Sequence, residues 1–251
     1  MKQIIAIAKF TIKENISNRL FNAFIGFGLF IMLSTVFLNE ISLYEGARVI
    51  YESGLFLIEF FVLLISIFTS ATLVLKDTKE KSIYLVLTKP VTRNMYILGK
   101  VLGLIVTVFL NVAIMGGILF GILVFQKAQV DIKYMYALIF IFYKLSIIIA
   151  IGVLFSVLSD SVITANIFTL SIYILGHAVY ELKMLADKMN NILIKSLLEA
   201  FYRVLPNFRV LNYRDYLQNI EIDFGKMTLY VVGYIMIVVV ITNLIFKNKR
   251  I

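Results

Sequence analysis

The 251-residue sequence predicts an all-α, polytopic membrane protein: six transmembrane helices, an N-terminal interfacial helix and a cytoplasmic helical connection. Three observations carry that fold class. Apolar residues make up 61% of the chain and charged residues 16%, against about 45–50% and 25% in soluble domains. The mean hydropathy is +0.95, so most of the surface must meet lipid. The apolar residues also fall into long runs, and lysines and arginines flank those runs unevenly. With 21 Phe and 14 Tyr the chain is not disordered. The absence of cysteine excludes disulfides, thiolate metal sites and thiol nucleophiles.

The first residues are too polar to span, yet they are periodic. Ile4, Ile5, Ala8, Ile12 and Ile16 recur at helical spacing, with Lys2, Lys9 and Lys13 among them. This predicts a helix within residues 1–19 lying in the inner leaflet, apolar face down and lysines toward anionic headgroups. A helix crossing a ~30 Å hydrocarbon layer needs about 20 apolar residues. Six such spans follow, at 20–38, 54–75, 101–125, 134–158, 161–180 and 227–246. A tight turn at Ser159 and Asp160 separates the fourth from the fifth. No small-residue cleavage site follows the first run, which reads as a retained span. One three-span half does not repeat the other, and this weighs against the inverted-repeat transporter folds.

Orientation follows from the bases. With the N-terminus inside, the cytoplasmic segments hold thirteen bases and four acids, while the outer segments hold ten of each. Both termini are therefore expected in the cytoplasm. The net charge of +9 is an orientation signal, and nucleic acid is not an expected partner.

The cytoplasmic connection 76–100 is longer than a simple link requires. A charged cluster from Lys76 to Lys81 leads into the apolar run Ile83, Leu85, Val86 and Leu87, and Pro90 stops it. Thr92 is placed to N-cap the next helix. These residues predict a short helix lying across the ends of the spans and joined directly to two of them.

The stretch Lys79-Glu80-Lys81-Ser82-Ile83-Tyr84-Leu85-Val86-Leu87-Thr88-Lys89-Pro90-Val91-Thr92-Arg93, with Leu98-Gly99-Lys100-Val101-Leu102-Gly103 after it, resembles the signature of type-two ABC exporter permeases. That signature runs from an acidic residue through Gly-Thr/Ser-Leu and a leucine pair to Pro-Val-Ser-Arg, then Gly-Lys-x-x-Gly. Lys81 stands where the family commonly has glycine. The six spans, the tight turn and the long last outer loop match the same architecture. Leu205-Pro206-Asn207-Phe208 is most similar to small permeases resembling the nitrous-oxide-reductase maturation transporter. The resemblance implies that Lys79, Glu80, Ser82, Ile83, Leu85, Val86, Leu87, Pro90 and Arg93 form a coupling segment that docks on a separate ATPase subunit. It further implies two ATPase copies, a second permease copy in a homodimer, and a bacterial or archaeal cell membrane. ATP and Mg would sit on the partner. This chain is expected to bind no cofactor, since it lacks a glycine-rich phosphate loop, and it is not expected to be an enzyme.

Glu59 and Lys144 are the charges well inside spans. Intramembrane charges usually face a bundle interior or a water-filled cavity. Both fall in the outer half, so a mutual ion pair is possible; a snorkelling Lys144 and a shifted start of span two are the alternatives. His177, Glu181 and Met184 share a helical face but do not specify a metal site, and a capping or snorkelling histidine is expected instead. Gly99–Gly103 and Gly117–Gly121 are spaced for close helix packing. In the outer segment 181–226, the apolar positions from Leu185 to Leu205 follow helical periodicity and predict an amphipathic helix on the bundle's outer mouth. Two other function classes stay open: a stand-alone channel or secondary transporter using Glu59 and Lys144, and a non-transporting membrane scaffold.

Overall fold

The computed structural model describes residues 2–41, 46–79, 92–127, 131–188, 191–212 and 223–248, with the side chains at 20, 21, 27, 32, 35–41, 46–49 and 79 excepted. Among the described residues the chain is helical, without strands. In order come α1 (Lys2–Ile16), α2 (Arg19–Ile41), α3 (Gly46–Lys79), α4 (Arg93–Phe125), α5 (Lys133–Leu158), α6 (Val162–His177), α7 (Val179–Lys188) and α8 (Ile192–Val204). A 3-10 turn (Phe208–Leu211) and α9 (Phe224–Asn248) complete the chain.

Four described helices are long and apolar enough to cross a membrane: α3 from Ile50 to Thr78, α4, α5 and α9. A fifth crossing results if α6 and α7, bent by 60°, form one broken span. The expected first span falls on α2, much of whose second half lies outside the described side chains. The fifth expected span, 161–180, is not one straight helix. Phe208 and the carbonyl of Pro206 press against Gly176 in the last turn of α6, and the chain bends at Ala178 immediately after it.

The centre of the bundle is α5, which packs against α3, α4, α6 and α9. Its sequence is apolar around its whole circumference, and a helix of that kind is buried. Sixteen of its residues are buried. Small residues let α3 approach it closely. A Cβ built on Gly152 would lie 1.9 Å from Ser70 Oγ and 2.7 Å from Ser70 Cβ. One turn on, Ser156 Oγ accepts from the Val74 and Leu75 N–H groups at 3.1 and 3.2 Å. The crossing is thus fixed by polar bonds as well as by shape.

The side of α1 that faces the bundle is not its apolar side. The buried residues are Thr11 and Asn15, whereas Ile5, Phe10 and Ile16 are exposed. The cause is the glycine pair Gly99–Gly103 on α4, which receives α1 so closely that a Cβ at either position would strike it. At Gly99 it would meet Ile7 at 2.7 Å, and at Gly103 Thr11 at 2.7 Å and the Ala8 carbonyl at 2.8 Å. Thr11 and Asn15 each donate to the carbonyl one turn earlier, those of Ile7 and Thr11, which offsets part of the cost of burying them. The second pair behaves differently: among the described residues, Gly117 and Gly121 have nothing within 4 Å of a built Cβ and pack no other helix.

This contrast gives a prediction. Gly103→Leu should push α1 off α4, lower stability by about 1–3 kcal/mol, and reduce amide-exchange protection over residues 2–16. Gly117→Leu should leave both unchanged. Equal protection of α1 in the two variants would contradict the packing role.

Candidate functional site

Two groups of polar side chains are built into this apolar bundle, one at each end. At one end, α3 leads into the 80–91 segment and α4 leads out of it. Thr92 has extended backbone and its side chain accepts from the Met95 N–H at 3.3 Å, which starts α4. One turn later Tyr96 is fully buried and its hydroxyl donates to Asp77 on α3. Lys100, also buried, reaches Asp77 Oδ2 at 2.9 Å and Glu14 Oε2 of α1 at 3.5 Å. Lys76 pairs with the other oxygen of Glu14 at 3.3 Å. Two acids and two bases from three helices therefore neutralise one another at the membrane edge, where unpaired charge would be costly to bury.

Arg93 extends this group to the last helix. Its Nη1 donates to the carbonyls of Phe246 and Lys247 at 3.1 and 2.9 Å. These are among the carbonyls that the end of α9 leaves without helical partners, and a cation is favourable there. The Phe246 ring stacks on Tyr96, with centroids 6.0 Å apart. Both ends of the 80–91 segment are thus held. Lys79 closes α3, while Glu80, Ser82, Ile83, Leu85, Val86, Leu87 and Pro90 lie outside the described residues. Glu14, Asp77 and Tyr96 carry no site signal in the sequence, and Lys100 is marked there only by the Gly-Lys-x-x-Gly stretch. All four are otherwise charged or polar groups at span ends, facing a connection of unusual length.

Toward the opposite end, Glu59 of α3 and Lys144 of α5 lie 2.6 Å apart. Lys144 is 2% exposed, so it does not snorkel to the surface. Glu59 Oε1 also accepts from the Tyr173 hydroxyl of α6 at 2.9 Å. His177 Nε2 stands 3.3 Å from Lys144 Nζ, and His177 Nδ1 stands 2.9 Å from the Tyr173 carbonyl. An ammonium only donates and a carbonyl only accepts. An imidazole with its proton on Nδ1 would serve both contacts. Phe208 closes the group, its ring centroid 5.3 Å from that of His177. His177 thus faces Lys144 and the 3-10 turn, and Glu181 and Met184 are exposed. Among the described residues no cluster could hold a metal ion.

The segment from α7 to the 3-10 turn is tied to the same region. Its amphipathic part is two helices, α7 and α8, because Asn191 accepts from the Leu193 N–H at 3.0 Å and starts a new one. Tyr230 and Tyr234 on α9 hold the following loop, with Tyr230 Oη accepting from the Asn207 N–H at 2.8 Å and Tyr234 Oη donating to the Val204 carbonyl at 3.1 Å. The stretch Leu205–Phe208 is buried at its first, second and fourth positions and caps α6.

A family model described as ABC-2 family transporter protein matches residues 2–251, which is nearly the whole chain. The chain belongs to the ABC-2 transporter family. No curated protein matches it. An ABC-2 permease is a membrane-transport component and not a catalytic enzyme, and it works with an ATPase partner. The apolar helices make this ABC-2 protein a multi-pass membrane protein, the permease part of an ABC transporter.

Proposed function

We propose that this ABC-2 permease couples ATP hydrolysis on a separate ATPase subunit to export, through the segment from Lys79 to Arg93. The working assembly would be two permease copies with two ATPase subunits, both termini facing the cytoplasm of a bacterial or archaeal cell. ATP and Mg would be bound by the partner. The observation that carries this reading is the clamp on both ends of the segment. Asp77, Tyr96 and Lys100 join α3 to α4, Glu14 adds α1, and Arg93 adds α9. A force applied between residues 80 and 91 would reach four helices at once, with no flexible joint at the exit. That is what a lever between an ATPase and a two-state bundle requires.

The apolar run at Ile83, Leu85, Val86 and Leu87 suits a hydrophobic groove on a partner, with Lys79, Glu80 and Ser82 before it and Pro90 ending it. Leu85→Asp or Val86→Asp should therefore leave membrane insertion and thermal stability unchanged. Each should abolish co-purification of the ATPase and the substrate-stimulated part of its activity. Unchanged partner binding and stimulated ATPase in both variants would refute the assignment. Transport that persists after ATP is exhausted but follows a proton gradient would instead favour a secondary transporter using Glu59 and Lys144.

A further inference from the structure

His177 is the chain's single histidine, and it stands where three parts of the fold meet. It is the last residue of α6, immediately before the 60° bend into α7. Gly176 beside it admits the following loop: a Cβ built there would lie 2.6 Å from the Phe208 ring and 2.8 Å from the Pro206 carbonyl. The Phe208 ring packs on His177 and Tyr173, with centroids 5.3 and 5.9 Å away. From this position the imidazole reaches Lys144 of α5 at 3.3 Å.

The charges around the ring balance only while it is neutral. α5 presents Lys144 and α3 presents Glu59, and these two are paired at 2.6 Å. The Tyr173 hydroxyl of α6 is already given to Glu59. On the 3-10 turn, the Arg209 guanidinium lies over the Tyr180 ring of α7 at 3.8 Å. Glu181 of α7 and Glu52 of α3 are exposed. A neutral ring can accept from Lys144 and donate to the Tyr173 carbonyl. An imidazolium carries a proton on both nitrogens and cannot accept. It would set a second cation beside Lys144, against the one carboxylate of Glu59. Lys144 is 2% exposed and held by that carboxylate, whereas His177 is only half-buried and has solvent to move into. Histidine is also the side chain whose ordinary charge change falls between about pH 5 and 8.

We infer that His177 is a pH-sensitive latch. In its neutral form it fastens the end of α6, and with it the Pro206–Phe208 stretch, to α5. Protonation breaks the contact with Lys144, frees the α6–α7 bend to open, and lets α7 move away from the bundle. The Lys144–Glu59 pair stays in place, so the release is reversible. This role goes beyond the coupling proposed above and does not depend on it.

The test uses the full-length chain in lipid nanodiscs, with one cysteine introduced at Val179, the buried first residue of α7. Its maleimide labelling rate is divided by that of a cysteine at the exposed Met184, which cancels the ionisation of the thiol itself. As the pH falls from about 8 to about 5 the ratio should rise, by up to about tenfold per pH unit, the limit for one proton. His177→Gln keeps an acceptor for Lys144 but does not titrate, so its ratio should stay low and flat. The double variant Glu59→Gln, Lys144→Met keeps His177 and removes the cation it would meet, so its ratio should be flat too. A flat ratio with His177, Glu59 and Lys144 all intact would overturn the inference. So would a rise that survives in His177→Gln. A rise that survives in the double variant would overturn it as well, which decides the matter even if His177→Gln does not fold.

Discussion

Lys144→Met is expected to destabilise the protein by about 3–5 kcal/mol, the cost of leaving a buried ion without its partner. The substitution preserves most of the side-chain volume of Lys144, so little of the loss is a cavity effect. What it removes is the 2.6 Å contact to Glu59 and the 3.3 Å contact to His177. Glu59 would keep only the Tyr173 hydroxyl as a described donor, in a setting where its side chain is 13% exposed. Glu59→Gln strands the opposite charge: the buried ammonium keeps His177 Nε2 and an amide oxygen, with no anion. The double variant carries no unpaired charge, so it should be more stable than either single variant. Thermal unfolding in detergent, read as assembled protein remaining, measures all four species. A coupling energy of several kcal/mol is expected; additive losses would show that the two charges act independently. Because three helices meet in the pair, the single variants should also loosen α6 against α3 and α5. Greater accessibility of single-cysteine labels placed in α7 would report this, and the cysteine-free sequence makes such labels unambiguous.

Gly152→Ala is the second large effect. Its new methyl group would fall 1.9 Å from Ser70 Oγ and 2.7 Å from Ser70 Cβ, with the next neighbour, Thr169 Cγ2, at an ordinary 3.5 Å. Rotating the hydroxyl relieves the first contact but breaks its 2.6 Å bond to the Ser66 carbonyl. It cannot relieve the second, because Cβ does not move with χ1. The backbones of α3 and α5 must therefore separate, and overpacking of that kind costs about 1–3 kcal/mol. The separation would also stretch the Ser156 bonds to Val74 and Leu75. Ser70→Gly removes both offending atoms and should restore most of the loss in the double variant. Ser70→Ala removes only the oxygen and should restore little. If Ser70→Ala rescues as well as Ser70→Gly, the clash is confined to the hydroxyl and the helices have not moved.

Much of the fold is legible in the amino-acid order because lipid imposes a one-dimensional rule. A chain in a hydrocarbon layer must satisfy its backbone within each segment, so long apolar runs have to be helices. The composition, the apolar runs and the family signature around Lys79–Arg93 and Gly99–Gly103 needed no contact information. They determined a helical, multi-pass ABC-2 permease. The cap at Thr92 was legible for the same local reason, since its oxygen bonds a group three residues away.

The tertiary structure decided which faces meet. Periodicity showed that α1 has an apolar side, but not that a glycine pair 90 residues away would bury Thr11 and Asn15 and leave Ile5, Phe10 and Ile16 exposed. The two glycine pairs look equivalent along the chain, and among the described residues only one of them receives a helix. Glu59 and Lys144 are 85 residues apart, and His177 lies 33 residues beyond Lys144. Only the crossing of α3, α5 and α6 brings the three together with Tyr173. The same holds at the other end of the bundle, where Glu14, Asp77 and Lys100 are ordinary flanking charges until α1, α3 and α4 converge. The sequence by itself determined what is helix and what meets lipid, because burial in hydrocarbon acts on each segment separately. Which charges are paired was left to the packing, because an ion pair depends on distance in space and not along the chain.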